Sequence, residues 1–381
     1  MQLQKSSSLF FFSNHTFVKI AFDAKRLFLN RTGLGNYSRT LVRNMQKNFP
    51  EHEYILCTPR VIENKDTAHF IGNKDFTILK YPSYFTVYWR SYGIVSKLHK
   101  LGVDIYHGLS HEIPFGLEKI HIRSCVTVHD LIFEKHPEYY PVADRLFYKL
   151  KYRNSAYAAD RLVAISNHTR EDIVSIWGIT ARDVEVVYQS CNDIFFDTPH
   201  GVNERKYLLY VGSLSERKGL MDLVAAYKIM DRKYRIPVWL VGEGSEFERR
   251  LKKTIEKAGL GDYFLFIGKI DNSSLIEYYD NARALIYPSH YEGFGIPLIE
   301  ASLRKVPVLC SNVSSMPEAA GPDALYFQPR NPKSIADTIT YCIENEQEVA
   351  RKAEKTYIYT RKRYDPYHTA HSLMKIYQEL V

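Results

Sequence analysis

Short runs rich in β-branched and aromatic residues alternate with helical stretches along the chain from Val18 onward. This alternation is typical of parallel sheets flanked by helices. In the first half it predicts strands at Val18–Asp23, Tyr54–Thr58, Thr77–Tyr81, Asp104–His107, Arg123–Val128, Arg161–Ile165 and Glu185–Tyr188. The helices predicted between them are Asn36–Asn48, Tyr88–Leu101, Ala143–Ala159 and Thr169–Trp177.

The alternation stops at Asn192–Arg205, where turn formers and polar residues cluster without periodicity. It then resumes with strands predicted at Tyr207–Val211, Val238–Val241, Tyr263–Ile267, Ala284–Tyr287, Pro307–Cys310 and Ala324–Phe327. The later helices are predicted at Leu220–Ile229, Glu246–Lys257, Ser274–Asn281, Pro297–Lys305, Pro332–Glu344 and Pro366–Leu380. The pattern therefore predicts two doubly wound α/β domains around a cleft, with ligands bound beyond the carboxyl ends of the strands.

The interruption also sets domain boundaries. We expect an N-terminal domain at residues 18–195, a linker at 196–206, a C-terminal domain at 207–362 and a last helix within 363–381 that packs on either domain. Residues 1–17 hold only one short apolar patch, Leu9–Phe12, too short for a secretory core. We interpret them as a disordered or non-native extension.

Composition narrows the class of protein. With 381 residues, 45% of them hydrophobic and 25% charged, the chain has the size and composition of a two-domain globular protein. Its five cysteines form no CxxC pair, which favours a reducing compartment. No apolar run approaches the roughly 18 residues that cross a bilayer. The net charge of +8 indicates an anionic partner, which could be a phosphate-bearing ligand, a membrane surface or a nucleic acid.

The most informative motif directly follows a predicted strand and reads Glu292-Gly293-Phe294-Gly295-Ile296-Pro297-Leu298-Ile299-Glu300. Its glycines allow close approach to a ligand, and its proline suits the first turn of a helix whose N-terminus would stabilise a phosphate. Glu292 and Glu300 flank the loop, so one carboxylate is available for the hydroxyls at each end of a nucleotide sugar. A tight turn alone rarely needs both acids, both glycines and the proline, and we favour a functional site.

A second loop of this kind follows the strand predicted at Tyr207–Val211 and contains Gly212, Arg217 and Lys218. If the two cations face the cleft, they would neutralise a departing diphosphate. Solvated surface charge is the alternative. The position directly after a strand favours the functional interpretation.

In the first half, Gly33 and Gly35 open the helix predicted at Asn36–Asn48 and offer an amide-lined turn to a phosphate. The third glycine of a dinucleotide fingerprint is missing. No acidic residue ends the next predicted strand. Both departures weaken the case for a nicotinamide enzyme.

Histidines also follow predicted strands. His129 comes directly after Arg123–Val128, so its imidazole is expected at the cleft with Asp130 beside it. His107 and His111 lie in a comparable segment and could line a sugar or acceptor pocket. For all three histidines, a structural role in packing is an equal alternative.

Several chemistries lack support in the sequence. It contains no HExxH, paired cysteine ligands or Asp-x-Asp for a catalytic metal, and no phosphate loop ending in Gly-Lys-Ser/Thr. Arg145–Arg153 interleaves aromatic residues with four basic ones on a predicted helix. This segment could touch anionic lipid headgroups or nucleic acid, but a solvated basic face packed through its aromatics is the favoured interpretation.

Together, these motifs resemble the family 4 retaining glycosyltransferases, and most of all the bacterial mannosyltransferases of surface-polysaccharide synthesis. The resemblance runs from about Val18 to the C-terminus, and the Glu292–Glu300 block is its most specific part. It implies the GT-B fold, in which two Rossmann-like domains face a central cleft. The second domain would hold most of the nucleotide sugar, and the first would hold most of the acceptor.

The resemblance also implies roles for individual residues. The catalytic set would be His129, Glu292, Arg217 and Lys218. The donor-binding set would be Gly33, Gly35, Gly212, Gly293, Phe294, Gly295 and Glu300. Glu300 would bind the ribose, Glu292 the hydroxyls of the transferred sugar, and His129 the sugar near its C6 hydroxyl. Arg217 and Lys218 would bind the diphosphate, with Gly33 and Gly35 on its far side. Many family members carry an arginine where this chain has Ser213, and we assign that role to Arg217.

The implied reaction transfers a hexose from a nucleotide diphosphate sugar, with GDP-mannose favoured, to a saccharide acceptor that can be polyprenyl-linked. It would retain the anomeric configuration and need neither a metal nor a cofactor. It would take place in the cytoplasm, with peripheral contact at the inner face of the membrane. The open alternatives are a UDP-sugar donor carrying glucose, galactose or N-acetylglucosamine, and a sugar epimerase of the same fold. A nucleic-acid binder is disfavoured because it would leave the Glu292–Glu300 block without a purpose.

Overall fold

The computed structural model describes residues 17–30, 32–82, 85–198 and 205–381. The extension predicted at residues 1–17 lies outside this part of the chain except for Phe17, and the predicted linker lies outside it at residues 199–204. The described residues form two parallel sheets, each flanked by helices.

The first sheet has seven strands: β1 Lys19–Asp23, β2 Glu53–Thr58, β3 Phe76–Lys80, β4 Ile105–Gly108, β5 Arg123–Val128, β6 Arg161–Ala164 and β7 Val184–Val186. The second has six: β8 Tyr207–Val211, β9 Val238–Val241, β10 Phe264–Gly268, β11 Ala282–Tyr287, β12 Val308–Ser311 and β13 Leu325–Phe327. The strand orders are β3-β2-β1-β4-β5-β6-β7 and β10-β9-β8-β11-β12-β13. The prediction of two doubly wound α/β domains is confirmed.

The helices of the described residues cover both faces of these sheets. In the first half they are α1 Lys25–Leu29, α2 Gly33–Asn48, α3 Thr86–Tyr88, α4 Val95–Lys100, α5 Ile132–Lys135, α6 Val142–Ala158 and α7 Asn167–Asp172. In the second half they are α8 Leu220–Ile229, α9 Glu246–Lys257, α10 Asn272–Asp280, α11 Ile296–Leu303, α12 Met316–Ala320, α13 Pro332–Glu344, α14 Glu346–Arg363 and α15 Pro366–Leu380.

The strand order reverses direction once in each sheet, between β1 and β4 and between β8 and β11. At such a switch point the loops leave neighbouring strands toward opposite faces, which opens a crevice at the carboxyl edge. The central strands are mostly apolar and buried on both faces; β5, for example, is buried at every position after Arg123. This burial holds the two carboxyl edges rigid, and their loops carry the candidate site.

The last helix returns to the first domain. Helix α15 packs against α2, and its Leu373, Met374 and Tyr377 belong to the buried core beneath the first sheet. The hydroxyl of Tyr377 lies 2.5 Å from Nδ1 of His107, which ties the C-terminal helix to strand β4.

Two helical regions differ from the pattern. The helix predicted at Tyr88–Leu101 is interrupted by a π-helical turn at Trp89–Gly93, where a Cβ on Gly93 would lie 2.5 Å from the Trp89 ring. Helix α14 was not predicted. Its buried positions include Ala353, Thr356 and Thr360, whose small or polar side chains give no strong apolar periodicity.

Candidate active site

The carboxyl ends of β8 and β11 bring three predicted residues together. Lys218 Nζ lies 2.5 Å from Oε1 of Glu292, and Arg217 Nη1 lies 2.9 Å from Oε2. Each carboxylate oxygen therefore contacts one cation. Lys218 and Glu292 are buried, and Arg217 keeps 20% of its side chain exposed.

The backbone conformation and one close contact of Gly219 produce this arrangement. The loop after β8 forms a 3₁₀ turn at Glu216–Lys218 that ends on Gly219 with φ +67°. A Cβ on Gly219 would lie 1.9 Å from the carbonyl oxygen of Pro288, in the loop after β11. Only glycine permits both the left-handed backbone and the contact, so the two loops stay close enough for their side chains to pair.

The charges in this cluster shift each other's protonation. Burial by itself would raise the pKa of Glu292, but Arg217 and Lys218 outweigh it and lower that pKa to about 2. Burial lowers the pKa of Lys218 to about 8, against the opposing pull of Glu292. The carboxylate is thus ionised throughout the neutral range, whereas the lysine titrates just above it.

Polar groups outside the predicted set support Glu292. The hydroxyl of Tyr287 lies 2.8 Å from Lys218 Nζ, and the Glu292 amide donates to Oγ of Ser314 at 3.0 Å. Ser315 Oγ donates to the carbonyl oxygen of Glu292 at 2.9 Å. Sequence reasoning missed these three residues. The two serines follow strand β12, and that position was their only signal.

Glu300 lies on α11 in a separate buried environment. Its carboxylate accepts a hydrogen bond of 2.8 Å from Tyr279, and burial raises its pKa to about 7. It lines an interdomain crevice of about 240 Å³ together with Ile296. The opposite wall includes Asn36 and Thr40 of α2. Glu300 therefore faces the first domain across a space that a small polar group can enter.

The glycine-rich loop itself contacts the first domain. Gly293 O accepts hydrogen bonds from Ser166 Oγ at 3.0 Å and from Thr169 Oγ1 at 3.3 Å. Gly295 has φ +115° and precedes α11. Phe294 is buried, and its ring stacks on Tyr188 with ring centroids 6.0 Å apart. The phenyl ring therefore anchors the loop among aromatic side chains.

His129 is buried, and both of its ring nitrogens have protein partners. Nε2 lies 2.8 Å from the carbonyl oxygen of Leu109, and Nδ1 lies 3.2 Å from Nε2 of Gln189. Burial lowers the pKa of His129 to about 3, so the ring is neutral and donates through Nε2. Tyr37 packs edge-on against this ring at 4.7 Å. Gln189 was missed because it lies in an irregular segment after β7.

The other two candidate histidines, His107 and His111, contact buried protein groups. His107 lies between Tyr377 and Thr127, whose Oγ1 is 2.8 Å from its Nε2. His111 stacks on Tyr152 at 4.6 Å, and its Nε2 accepts the amide hydrogen of His129 at 3.1 Å. For His107, these buried contacts favour packing over a ligand-binding role.

The glycines of the first domain differ from the expected open turn. Helix α2 already begins at Gly33, and the Gly35 amide donates to the carbonyl oxygen of Thr32 at 2.9 Å. A Cβ on Gly35 would lie 1.9 Å from the carbonyl oxygen of Asn30. Gly35 is therefore required by packing, while Gly33 is exposed with open space around it. In the second domain, Gly212 adopts φ +151° directly after β8.

Further contacts join the domains beside the site. The Glu318 carboxylate accepts the amide hydrogens of Asn167 at 2.9 Å and of His168 at 2.8 Å, at the N-terminus of α7. The Tyr291 hydroxyl bonds to the carboxylate of Asp172. Glu318 thus holds α12, and Tyr291 holds the loop after β11, against the first domain.

Within the part of the chain that the structure describes, no group of three or more His, Cys, Asp or Glu side chains is arranged to hold a metal ion. Across the same described ranges, no helix has both the length and the apolar character needed to cross a membrane. The five cysteines are buried and unpaired.

Comparison with known proteins agrees with this architecture. Residues 31–192 match the family model described as Glycosyltransferase Family 4, and residues 193–363 match the model described as Glycosyl transferases group 1. The two domains and these matches define a glycosyltransferase with the GT-B fold.

Three similar proteins illustrate the match. The chain is 27% identical to O-antigen chain mannosyltransferase B of Escherichia coli over 357 residues, which cover 86% of this chain and 91% of that protein. Sucrose-phosphate synthase from Thermosynechococcus elongatus has a TM-score of 0.78 at 20% identity, over 95% of this chain and 99% of that one. Anabaena HepE in complex with UDP-glucose has a TM-score of 0.74 at 15% identity, over 95% and 99%. The chain belongs to the group 1 and family 4 glycosyltransferases, and the resemblance seen in its motifs is confirmed.

Proposed function

We propose that this glycosyltransferase transfers mannose from GDP-mannose to a lipid-linked saccharide with retention of the anomeric configuration. The observation that carries the proposal is the buried Glu292 carboxylate held between Arg217 and Lys218 at the carboxyl edge of the second sheet. The similarity to a mannosyltransferase over 91% of that relative's length supports mannose as the sugar. The name of that relative refers to the O-antigen chain, which supports a role in surface-polysaccharide synthesis.

The proposed donor site extends from this cluster to Glu300. Arg217 and Lys218 would bind the diphosphate, since preorganised cations in a dry site stabilise developing negative charge strongly. Glu300 would accept hydrogen bonds from the ribose, at the interdomain crevice that it lines. The loop that contains Gly293 and Gly295 would lie beside the donor. The space that a Cβ on Gly293 would fill holds the carbonyl oxygen of His129, so this glycine would act through the contact between the domains.

The proposed role of Glu292 is electrostatic and positional. A carboxylate with a pKa of about 2, bonded to two cations, is a poor base and a poor nucleophile. It would instead orient the cations and accept sugar hydroxyls. His129 would contribute through its position beside the Gly293 loop, since its own ring nitrogens are engaged by Leu109 and Gln189.

The chemistry we propose is attack on the same face that the leaving group departs from. The bond from the anomeric carbon to the diphosphate breaks, and the bond from the acceptor hydroxyl oxygen forms on that face. The hydroxyl proton passes to a phosphate oxygen of the leaving GDP. Arg217 and Lys218 would carry the charge balance at the diphosphate, so the proposed reaction needs no metal ion.

The acceptor would enter through the first domain at the inner face of the cytoplasmic membrane. Asp23 ends strand β1, and its carboxylate accepts a hydrogen bond of 2.8 Å from Nε of Arg90. Nη1 of Arg90 lies 2.7 Å from Oε2 of Glu112. These buried charges end or follow strands β1, β3 and β4, on the carboxyl side of the first sheet. They are candidates for positioning saccharide hydroxyls.

A UDP-sugar donor is the second candidate, because the similar HepE structure contains UDP-glucose. A thermal-shift panel with GDP-mannose, UDP-glucose, UDP-galactose and UDP-N-acetylglucosamine separates the two. We expect GDP-mannose to raise the melting temperature more than the UDP-sugars do. A ligand present at 100 times its Kd stabilises the folded state by about 2.7 kcal/mol, so binding of the donor should be visible in the melting curve. A larger rise with a UDP-sugar would replace the donor assignment. No rise with any nucleotide sugar would overturn the proposal.

Stereochemistry and metal dependence need transfer assays. The anomeric configuration of the product, read by NMR coupling constants, tests retention, and an inverted product would contradict the mechanism. We expect transfer to persist in excess EDTA, and restoration by a divalent cation after loss would disprove metal independence.

A further inference from the structure

Helix α6 turns an apolar row toward solvent. Val142, Leu146 and Leu150 repeat every fourth residue, with exposed fractions of 66%, 59% and 67%. The buried side of the helix instead carries Tyr152 and Ser155. A helix of a globular protein ordinarily buries its aliphatic face, so this inverted arrangement calls for an apolar partner.

A basic row runs beside the apolar one. Arg145, Lys149 and Arg153 share the four-residue spacing and lie less than a quarter turn from the apolar residues on the helix surface. Lys149 lies 3.4 Å from Glu134 and keeps 51% of its side chain exposed. Asp144, the only acid within α6, belongs to neither row. The exposed face therefore combines aliphatic side chains with positive charge.

A second exposed apolar patch lies nearby, comprising Val87, Tyr88 and Tyr92. It is connected to α6 through one carboxylate: Glu112 lies 2.7 Å from Arg90 Nη1 and 2.5 Å from Lys151 Nζ.

Phe147 continues the exposed apolar surface of α6 toward Lys151. Its ring is about half exposed and lies 5.4 Å from Lys151 Nζ. The segments that carry the two patches follow strands β3 and β5, and so begin on the carboxyl side of the first sheet, at which we place acceptor entry.

We propose that this surface docks the enzyme on an anionic lipid bilayer. The α6 face, defined as Val142, Leu146, Phe147 and Leu150 with Arg145, Lys149 and Arg153, would insert its apolar row at the headgroup boundary while its basic row meets lipid phosphates. This combination is what an interfacial amphipathic helix requires. The net charge of +8 adds long-range attraction to such a surface.

The role of this surface in catalysis rests on the proposed function. A lipid-linked acceptor keeps its lipid in the bilayer, so its saccharide must reach the cleft from the membrane side. Docking through α6 and the patch at Val87–Tyr92 would place the carboxyl edge of the first sheet beside the bilayer. The solvated basic face favoured from the sequence does not account for the exposed aliphatic row.

Flotation with vesicles tests the surface directly. Wild-type enzyme is mixed with vesicles of phosphatidylglycerol and phosphatidylcholine, or of phosphatidylcholine alone, at low and high salt. We expect binding to the anionic vesicles, weakened by salt. The double variant Leu146→Gln, Leu150→Gln should lower the partition coefficient about tenfold or more. Arg145→Gln with Lys149→Gln should lower it similarly, and only with anionic lipid.

The matched control replaces exposed aliphatic residues of the second domain, Ile229→Gln and Ile358→Gln, and should leave vesicle binding unchanged. Equal binding by the α6 variants and wild type would overturn the proposal. So would a change in oligomeric state on gel filtration without a change in vesicle binding, because the face would then join two copies of the chain. Unchanged melting temperatures would show that the α6 variants are folded.

Vesicle binding is measured without donor, so it stands apart from the donor assignment. If the enzyme binds vesicles but no nucleotide sugar, the proposed function fails and the docking surface remains supported. If it binds GDP-mannose but not vesicles, only the surface is refuted.

Discussion

A Cβ atom on Gly293 would lie 2.1 Å from the carbonyl oxygen of His129. The glycine-rich loop after β11 therefore meets the first domain backbone to backbone, with no room for a side chain. The same glycine accepts a hydrogen bond from Ser166. Closure of the two domains around the crevice thus depends on the absence of one methyl group.

Gly293→Ala should open this contact. Because the Cβ has no space, the loop or the domains must separate, and misplacement by about 1 Å can cost on the order of 100-fold in rate. We expect kcat/KM to fall by about tenfold to 100-fold. Small-angle scattering should show a larger radius of gyration.

Gly261→Ala is the matched control, because a Cβ there meets nothing within 4 Å. It should leave rate and radius unchanged. Wild-type kinetics for Gly293→Ala would show that the loop relaxes at no cost and that contact with His129 is dispensable.

Lys218 should set the alkaline limit of activity. Its pKa of about 8 in the free enzyme means that the charged form is lost as pH rises through that value. We therefore expect kcat/KM, which reports the free enzyme, to decline above about pH 8. Bound diphosphate adds negative charge, so the limit in kcat should lie at higher pH.

Substitutions at this position separate charge from shape. Lys218→Ala should lower kcat by about 100-fold or more, while GDP binding changes less. Lys218→Arg keeps the charge at all accessible pH values and should abolish the alkaline limb even if the rate falls. The exposed Lys253→Ala serves as control. If kcat/KM of Lys218→Arg still declines at alkaline pH, the decline belongs to another group.

Glu300→Gln should weaken donor binding but stabilise the empty enzyme at alkaline pH. Burial raises the pKa of Glu300 to about 7 from 4.5 in the unfolded chain. Between these values the folded state keeps a proton that the unfolded state has lost, so stability falls as pH rises. The full loss is about 3 kcal/mol.

Glu300→Gln does not lose stability in this way, because glutamine does not ionise. Its melting temperature should exceed that of wild type at pH 8 and match it near pH 4.5. Its Kd for the donor, measured by calorimetry above pH 7, should rise. Tighter donor binding by Glu300→Gln would exclude the carboxylate from the ribose site. Equal melting temperatures at both pH values would mean that the carboxylate is well solvated.

The central strands could be predicted from the sequence because nearly all of their residues are buried and form a continuous apolar run. Strand β8, Tyr207–Val211, has the predicted bounds. Helix α14 could not be predicted in this way, since its buried side includes Ala353 and Thr360. Apolar periodicity marks an element only where packing requires large apolar side chains.

Part of the candidate site could likewise be predicted from the sequence, and part could not. Glu292 and Lys218 each follow a strand of the same sheet, so topology alone places them at one edge. Tyr287 reads as a core strand residue, and its bond to Lys218 depends on the rotation of one side chain. From the sequence, Gly35 is interpreted as part of a phosphate turn, yet its amide donates to the carbonyl oxygen of Thr32, and a Cβ there would collide with the Asn30 carbonyl. Such contacts depend on tertiary geometry, which the hydrophobic periodicity of the sequence does not predict.

Gln189 should control the protonation of His129. Its amide is placed to donate to Nδ1, which keeps the ring neutral with its proton on Nε2. Gln189→Ala leaves a buried acceptor unpaired and should cost about 1–3 kcal/mol in the free energy of unfolding. Gln189→Glu offers only acceptors, so it should favour the imidazolium and raise the pKa of His129, measured by NMR titration. The exposed Gln328→Ala is the control. If neither substitution at position 189 moves stability or titration, the hydrogen bond does not determine the state of this histidine, and Leu109 alone would hold the ring beside the Gly293 loop.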